Sequence, residues 1–424
     1  MAKSFMRDGN FLRFYLATVC SALGDAALLI LLAWFVVDIT GSEGMLGITL
    51  LLISLPRLFF MLIGGVAADR LNRKWILILS ASIRGGIMIL FALFLTRALP
   101  ENVMYGLFPM AVIFGVVDAF FWPARSSSMP FVVKQSDLAR ANGLLETSLQ
   151  LSSVFGMMLA SQLFLLDNYS LMFSVIGSFF LVATVLLLPL RFRQDEQTDG
   201  AAPPEAKKQS AFADIVEGIR YALSIRTVAL ILLTALFANV MIMGPLQIGL
   251  PSLVKSLGFD GTEYGFLEAT ISIGALIGGL IVAWQKAFRG RLRIVSLFIA
   301  VFGIAFAFIG SMQTMSYGLT VMFVLGLSMA MFNIPVLTYM QTVTERHMLG
   351  RVMSLLSLMS FGITPISYAL ASFLLENGVL TAPMLFYIGG IGMALLGPVT
   401  FAVREFRNSE KHPRWVQAAA SEAQ

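Results

Sequence analysis

Twelve apolar runs, each long enough to cross a bilayer and separated by short polar stretches, occupy most of the sequence. They lie at about 11–37, 45–68, 75–96, 103–122, 142–166, 170–190, 226–254, 262–285, 292–311, 316–340, 350–374 and 381–402. A helical span takes about 20 apolar residues at ~1.5 Å per residue. Twelve spans with short loops therefore consume nearly all 424 residues. The chain is 58% hydrophobic and 12% charged, with a mean hydropathy of +0.84, whereas a soluble domain carries about 25% charged residues. In lipid, only helices and closed barrels satisfy every backbone polar group. The runs are continuous rather than alternating, which predicts an all-α membrane protein of twelve transmembrane helices in two six-helix bundles.

The first apolar run follows Lys3 and Arg7 but is too long for a cleaved leader, and is expected to stay as the first helix. Of the 29 basic residues, 25 fall on one side of the expected spans. Arg97 and Lys255 lie on the other side, and Arg57 and Arg84 lie within runs. The formal charge of +5 is thus explained by topology rather than by a nucleic-acid surface. The positive-inside rule puts both termini and the long central loop in the cytoplasm, with the chain multi-pass in a bacterial inner membrane. Four segments are expected: a first bundle at 1–190, a linker with an amphipathic helix at 191–225, a second bundle at 226–403 and a cytoplasmic tail at 404–424.

Residues 191–210, with Pro203–Pro204, have linker composition. Phe212, Ile215, Val216, Ile219 and Leu223 then recur at helical spacing, predicting a helix lying on the membrane surface. The halves echo each other: Pro123 aligns with Pro335 and Arg140 with Arg351, at offsets of 212 and 211 residues. A repeat of that length suits a transporter built from two like bundles.

Several chemistries have no support. No GK dipeptide occurs, so no Walker A phosphate loop is present. His347 and His412 have no partners at metal-ligand spacing, and Cys20 is the lone cysteine. No serine sits in a G-x-S-x-G turn. Neither an enzyme nor a bound cofactor is expected, and an ion gradient becomes the expected source of energy.

The segment Gly64-Gly65-Val66-Ala67-Ala68-Asp69-Arg70-Leu71-Asn72-Arg73-Lys74 joins the second and third runs. Small residues there permit close helix approach, and the charges can pin a gate through ion pairs or a helix terminus. An ordinary positively charged loop is the simpler alternative. The segment resembles the major facilitator signature Gly-x-x-x-Asp-Arg-x-x-Arg-Lys. Leu23–Asp25, Pro123–Arg125, Leu138–Leu145 and Phe212–Leu223 resemble the branch of that superfamily containing enterobactin exporters and macrolide efflux proteins. The resemblance covers roughly residues 11–400 and implies the major facilitator fold, alternating access and proton-driven export. It also implies a gate of Gly65, Asp69, Arg70, Arg73 and Asp118, in which Asp69 faces the chain near Gly350 and Arg73 pairs with Asp118. On the expected boundaries Asp118 lies about 6 Å from the end of its helix. The Gly-Pro-x-x-Gly-Gly pattern of many antiporters is replaced here by Gly156-Met157-Met158-Leu159-Ala160-Ser161.

Charges inside a bilayer cost roughly 2.5–3.5 kcal/mol each and usually face a cavity or a partner. Asp25, Arg57 and Arg84 lie roughly 21, 16 and 14 Å from their expected cytoplasmic ends and can meet near the midplane. Asp25 is the candidate protonation site, with Arg57 and Arg84 as its partners; a static ion pair locking the bundle is the alternative. Glu146, Glu268, Met241, Met243, Met329 and Met331 are candidates for a substrate cavity, the methionines because thioethers adapt to varied apolar shapes.

The expected function is proton-coupled efflux of small apolar or amphipathic compounds such as drugs, macrolides or siderophores. The expected partners are the small-molecule substrate, protons and membrane lipid, with no nucleic acid and the chain a monomer. A lipid or lysolipid flippase of the same fold, or a non-transporting membrane scaffold, are the alternatives.

Overall fold

The computed structural model describes residues 8–134, 137–192, 211–285, 291–345 and 348–421. The linker expected at 191–210 falls largely outside these residues. Every regular element among them is helical.

The chain begins with α1 (Gly9–Thr40), α2 (Glu43–Arg70), α3 (Arg73–Leu95), α4 (Val103–Val132), α5 (Leu138–Phe164) and α6 (Tyr169–Leu187). Side chains stop and start these helices: Ser42, Asn72 and Asn168 accept hydrogen bonds from the backbone of Met45, Lys74 and Leu171. Gly41, at φ 63°, ends α1 in the left-handed conformation that glycine adopts without strain. α4 continues through Pro109, Pro123 and Pro130 and runs ten residues beyond its expected end at 122. Proline usually breaks a helix, but membrane helices tolerate it when neighbouring groups re-satisfy the backbone.

The amphipathic helix is α7 (Ala211–Ser224). The side chains of Phe212, Ile215 and Val216 lie outside the description; Ile219 and Leu223 are exposed, as an apolar face against lipid headgroups requires. Then follow α8 (Arg226–Gly244), a π-helical turn (Pro245–Gly249), α9 (Leu250–Ser256), α10 (Gly261–Trp284), α11 (Leu292–Ile309) and α12 (Met315–Val343). The expected single run at 226–254 is thus interrupted at Pro245, which has no N–H to donate. The Ser367 hydroxyl inserts beside this break, accepting from the Gly244 N–H at 2.7 Å and donating to the Val240 carbonyl at 2.7 Å. Ser367 belongs to α14 (Thr364–Glu376), which follows α13 (Leu349–Ser357) and a second π-helical turn (Leu358–Gly362). The chain ends with α15 (Ala382–Ala402), α16 (Arg404–Arg407) and α17 (Pro413–Ser421).

Eleven spans among the described residues are long and apolar enough to cross a membrane, counting α8–α9 and α13–α14 as one each. α5, at 27 residues, supplies the twelfth; Arg140, Asn142, Glu146 and Gln150 make it more polar than the rest.

Two units partition the contacts: 1–201 with 254–269, and 202–253 with 270–424. The short segment 254–269 joins the first unit for visible reasons. Lys255 Nζ donates to the carbonyls of Val37 and Asp38 at 2.8 and 2.9 Å, satisfying the last acceptors of α1. Ser161 donates to Thr262 O at 2.8 Å, and Trp34 stacks on Tyr264 with centroids 5.9 Å apart.

Within each unit, bare glycine backbones set the closest crossings, as small residues do where helices associate in lipid. A Cβ at Gly115 of α4 would collide with the Ile53 carbonyl of α2, and one at Gly326 of α12 with the Ile271 carbonyl of α10. These glycines are 211 residues apart, the same offset as Arg140 and Arg351.

The segment expected as a tail is folded against the second unit. Phe406 is buried, Trp415 stacks on Tyr339 at 5.6 Å, and Arg414 is bonded to Glu345, Tyr221 and the Val343 carbonyl.

Candidate functional site

Four helices of the first unit bring four charged side chains into one chain of ion pairs. Arg84, on α3, has no solvent exposure. Its Nη1 donates to Asp25 Oδ1 of α1 at 3.0 Å and to Asp118 Oδ1 of α4 at 3.3 Å. Asp118 in turn meets Arg57 Nε of α2 through Oδ2 at 3.2 Å. Two carboxylates thus face two guanidinium groups, so the cluster is neutral when fully ionised. Its edge is graded: the side chains of Arg84 and Asp118 are 0% and 4% exposed, while Asp25 and Arg57 are 23% and 41% exposed.

Aromatic faces complete the setting of Arg84. Its guanidinium lies 4.0 Å from the Phe121 ring centroid and 4.7 Å from that of Phe180. Its Nε and Nη2 have no hydrogen-bond acceptor, so the ring faces supply what stabilisation those edges receive. Gly24 makes room for this: a Cβ there would touch Phe180 at 3.0 Å. Low dielectric strengthens every attraction in such a cluster and raises the cost of leaving any member unpaired.

The expected meeting of Asp25 with Arg84 is present, and Arg57 enters the same network through Asp118 rather than directly. Asp118 differs from expectation in depth and in partner. It lies 14 residues, or ~21 Å, from the end of α4, because that helix continues to Val132. Arg73 instead meets the extension, donating to Ser127 Oγ at 3.2 Å and stacking on the Phe131 ring at 4.6 Å. Ser127 is nine residues, ~13.5 Å, along the helix from Asp118, which separates the two expected partners. The side chains of Gly65, Asp69 and Arg70 lie outside the description.

The substrate-cavity candidates belong to both units, Glu146 and Glu268 to the first and the four methionines to the second. Glu146 is exposed, 3.8 Å from Arg125, whose guanidinium stacks on Trp122 at 4.3 Å. Glu268, near the start of α10, is buried, and its Oε1 has no hydrogen-bond partner. Met241 approaches Gly389 and Gly392 of α15, Met331 is buried, and Met243 and Met329 are half-buried.

Two further polar groups were not anticipated. Asp38 accepts from Tyr169 Oη at 2.7 Å and pairs with Lys255 at 3.4 Å, at the end of α1 remote from Asp8. Asp38 falls just past an apolar run, where hydropathy treats it as loop. Its only hint in the sequence was that it falls on the same expected side as Lys255, one of the two basic residues there.

Two helical units with charges buried at mid-helix, and with proline-broken helices in the second, are the architecture of a polytopic membrane transporter. The chain belongs to the Major Facilitator Superfamily, whose sequence profile matches residues 14–366. The MFS-type transporter YkuC of Bacillus subtilis (strain 168) is 25% identical over 407 residues, covering 92% of this chain and 90% of that one. The enterobactin exporter EntS of Escherichia coli (strain K12) is 25% identical over 395 residues, covering 90% and 89%. Among solved structures, a bacterial homologue of the iron transporter ferroportin in an inward-facing state superposes with a TM-score of 0.71 at 16% identity, covering 94% of this chain and 98% of that one. The nucleoside transporter NupG does so at 0.69 with 12% identity, covering 92% and 97%. These likenesses establish the major facilitator fold in a multi-pass membrane protein that carries a small molecule.

Proposed function

We propose that the chain is a secondary-active, proton-coupled exporter of small apolar or amphipathic compounds, working by alternating access in a bacterial inner membrane with both termini cytoplasmic. The carrying observation is the graded network Asp25–Arg84–Asp118–Arg57. Its inner members are sealed and its outer acid, Asp25, retains access to solvent. A proton arriving at Asp25 cancels one of the two charges held by Arg84 and loosens α1 from α3. A change of protonation thereby becomes a change in helix packing, which is what coupling requires. Arg73, tying the start of α3 to the end of α4, belongs with Gly65, Asp69 and Arg70 to the gate. Glu268 is the carboxylate assigned to any positive end of the substrate, and the kinship with EntS supports export as the direction.

The experiment is efflux from energised cells with a chemically diverse panel of drugs and siderophores, with and without a protonophore, for the parent protein and Asp25→Asn. Protonophore-sensitive export that is lost in the variant is the expected result. Export retained in Asp25→Asn would remove Asp25 from coupling. No export of any compound, with the protein verified in the membrane, would favour the flippase or scaffold alternative.

A further inference from the structure

The second unit contains an apolar groove that no transport step uses. α8 and α15 touch tightly where a Cβ at Gly392 would meet the Phe237 ring and the Met241 sulfur. Away from that contact they leave a cavity of about 480 Å³, lined by six residues of α8 between Leu230 and Val240, by Leu396, Val399 and Thr400 of α15, and by Val403 and Phe406 at α16. Only two lining residues are polar, and both hydroxyls are already satisfied. Thr234 donates to Leu230 O at 2.7 Å, and Thr400 donates to Gly397 O at 2.8 Å. The groove therefore asks for nothing but hydrocarbon.

Its end is basic. Arg226 is the first residue of α8, and Arg404 and Arg407 bracket Phe406, the buried residue that carries the lining onto α16. All three arginines are exposed. Glu405, the one acid in α16, is 3.3 Å from Arg226, which leaves the cluster with an excess of positive charge. Alkyl lining closed by surplus guanidinium groups at a membrane boundary matches one occupant in both parts. We infer that this groove is a binding site for one anionic phospholipid, its acyl chain between α8 and α15 and its phosphate on Arg226, Arg404 and Arg407. The charge cluster distinguishes such a site from the unselective lipid contact that every exposed leucine of a membrane helix makes. Neither the Asp25 network nor export enters the inference.

The test uses the full chain, purified in detergent, stripped of lipid and examined by native mass spectrometry. Phosphatidylglycerol and phosphatidylcholine with identical acyl chains are titrated against the parent, against the triple variant Arg226→Gln/Arg404→Gln/Arg407→Gln, and against Thr234→Trp, which fills the groove. Because Val399 is already exposed, Val399→Trp repeats the block at a position more tolerant of bulk. The parent is expected to hold phosphatidylglycerol at least about tenfold better than phosphatidylcholine, with each arginine contributing about fivefold. The triple variant should hold the two lipids equally, and either tryptophan should weaken both. Selectivity that survives the triple variant, binding indifferent to both tryptophans, or displacement of phosphatidylglycerol by inorganic phosphate would each overturn the inference.

Discussion

Arg84 holds Asp25 at 3.0 Å and Asp118 at 3.3 Å through a single nitrogen, Nη1. One fully buried cation thus joins α1, α3 and α4. Replacing it with an apolar residue takes the cation from Asp25 and leaves the buried Asp118 to Arg57 alone, close to the situation in which breaking a buried pair costs about 3–5 kcal/mol. Arg84→Met is expected to lose that much stability, read as a large fall in thermal midpoint in detergent. Asp25→Asn/Arg84→Met/Asp118→Asn should recover most of it, because neutral amides no longer demand a cation. A triple variant no more stable than Arg84→Met would mean that the aromatic packing around Arg84, rather than its charge, holds the bundle.

Arg57 contacts the same Asp118 but is 41% exposed. Water screens that pair and solvates whichever partner remains, so Arg57→Gln should cost about 1 kcal/mol or less. Its effect should appear in function instead: the edge of the network then carries one unbalanced acid, and the pH profile of efflux should shift while the thermal midpoint stays near the parent's. A midpoint loss as large as that of Arg84→Met would contradict the graded exposure.

The spans were legible because hydropathy is a one-dimensional signal and the bilayer imposes it along the whole chain. What hydropathy lacks is rotation and register. Nothing in the run 103–122 says that α4 passes through Pro123 and Pro130, so Asp118 was expected near a helix end, where the family resemblance implied a pair with Arg73. Once the helix continues, depth alone moves Asp118 into the Arg84 cluster. Asp25 and Arg84 were foreseeable as partners because a charge inside a span must find an opposite one, and few were on offer. Phe121 and Phe180, by contrast, are two of 35 phenylalanines, and only the packing distinguishes the ones that face a guanidinium. The π-helical turns at Pro245 and before Pro365 were hidden for a related reason. Proline marks where a backbone bond is missing, and the group that bridges the neighbouring Gly244 N–H and Val240 carbonyl, the Ser367 hydroxyl, comes from a distant helix.

Gly115 and Gly326 occupy equivalent crossings in the two units, each with a carbonyl where a side chain would begin. Adding a methyl there forces backbones apart, since no flexible side chain can yield. Gly115→Ala and Gly326→Ala are each expected to cost about 1–3 kcal/mol. Gly86, in α3, has nothing within 4 Å of its would-be Cβ. Gly86→Ala should be neutral or stabilising by up to about 1 kcal/mol, through the lower backbone entropy of alanine. Thermal unfolding of the three variants checks the contrast, and equal losses in all three would contradict it.

His412 connects the terminal segment to pH. Its ring meets Tyr339 edge to face at 6.4 Å, its Nδ1 is buried without a hydrogen-bond partner, and Arg414 lies two residues on. Burial first, and then the Arg414 charge, push its pKa below the ordinary 6.5. A histidine whose folded pKa is depressed binds more protons when undocked than when docked. The docked segment is therefore favoured above the ordinary histidine pKa and loses that advantage as pH falls through it. Arg414 keeps its charge throughout, and its bond to Glu345 holds its own pKa raised. His412 is therefore the group expected to set the response between pH 7 and 5. Because Trp415 stacks on Tyr339, the difference in emission between the parent and Trp415→Phe reports docking. That difference should diminish on acidification in the parent and stay constant in His412→Leu. An identical pH response in His412→Leu would assign the effect to another group.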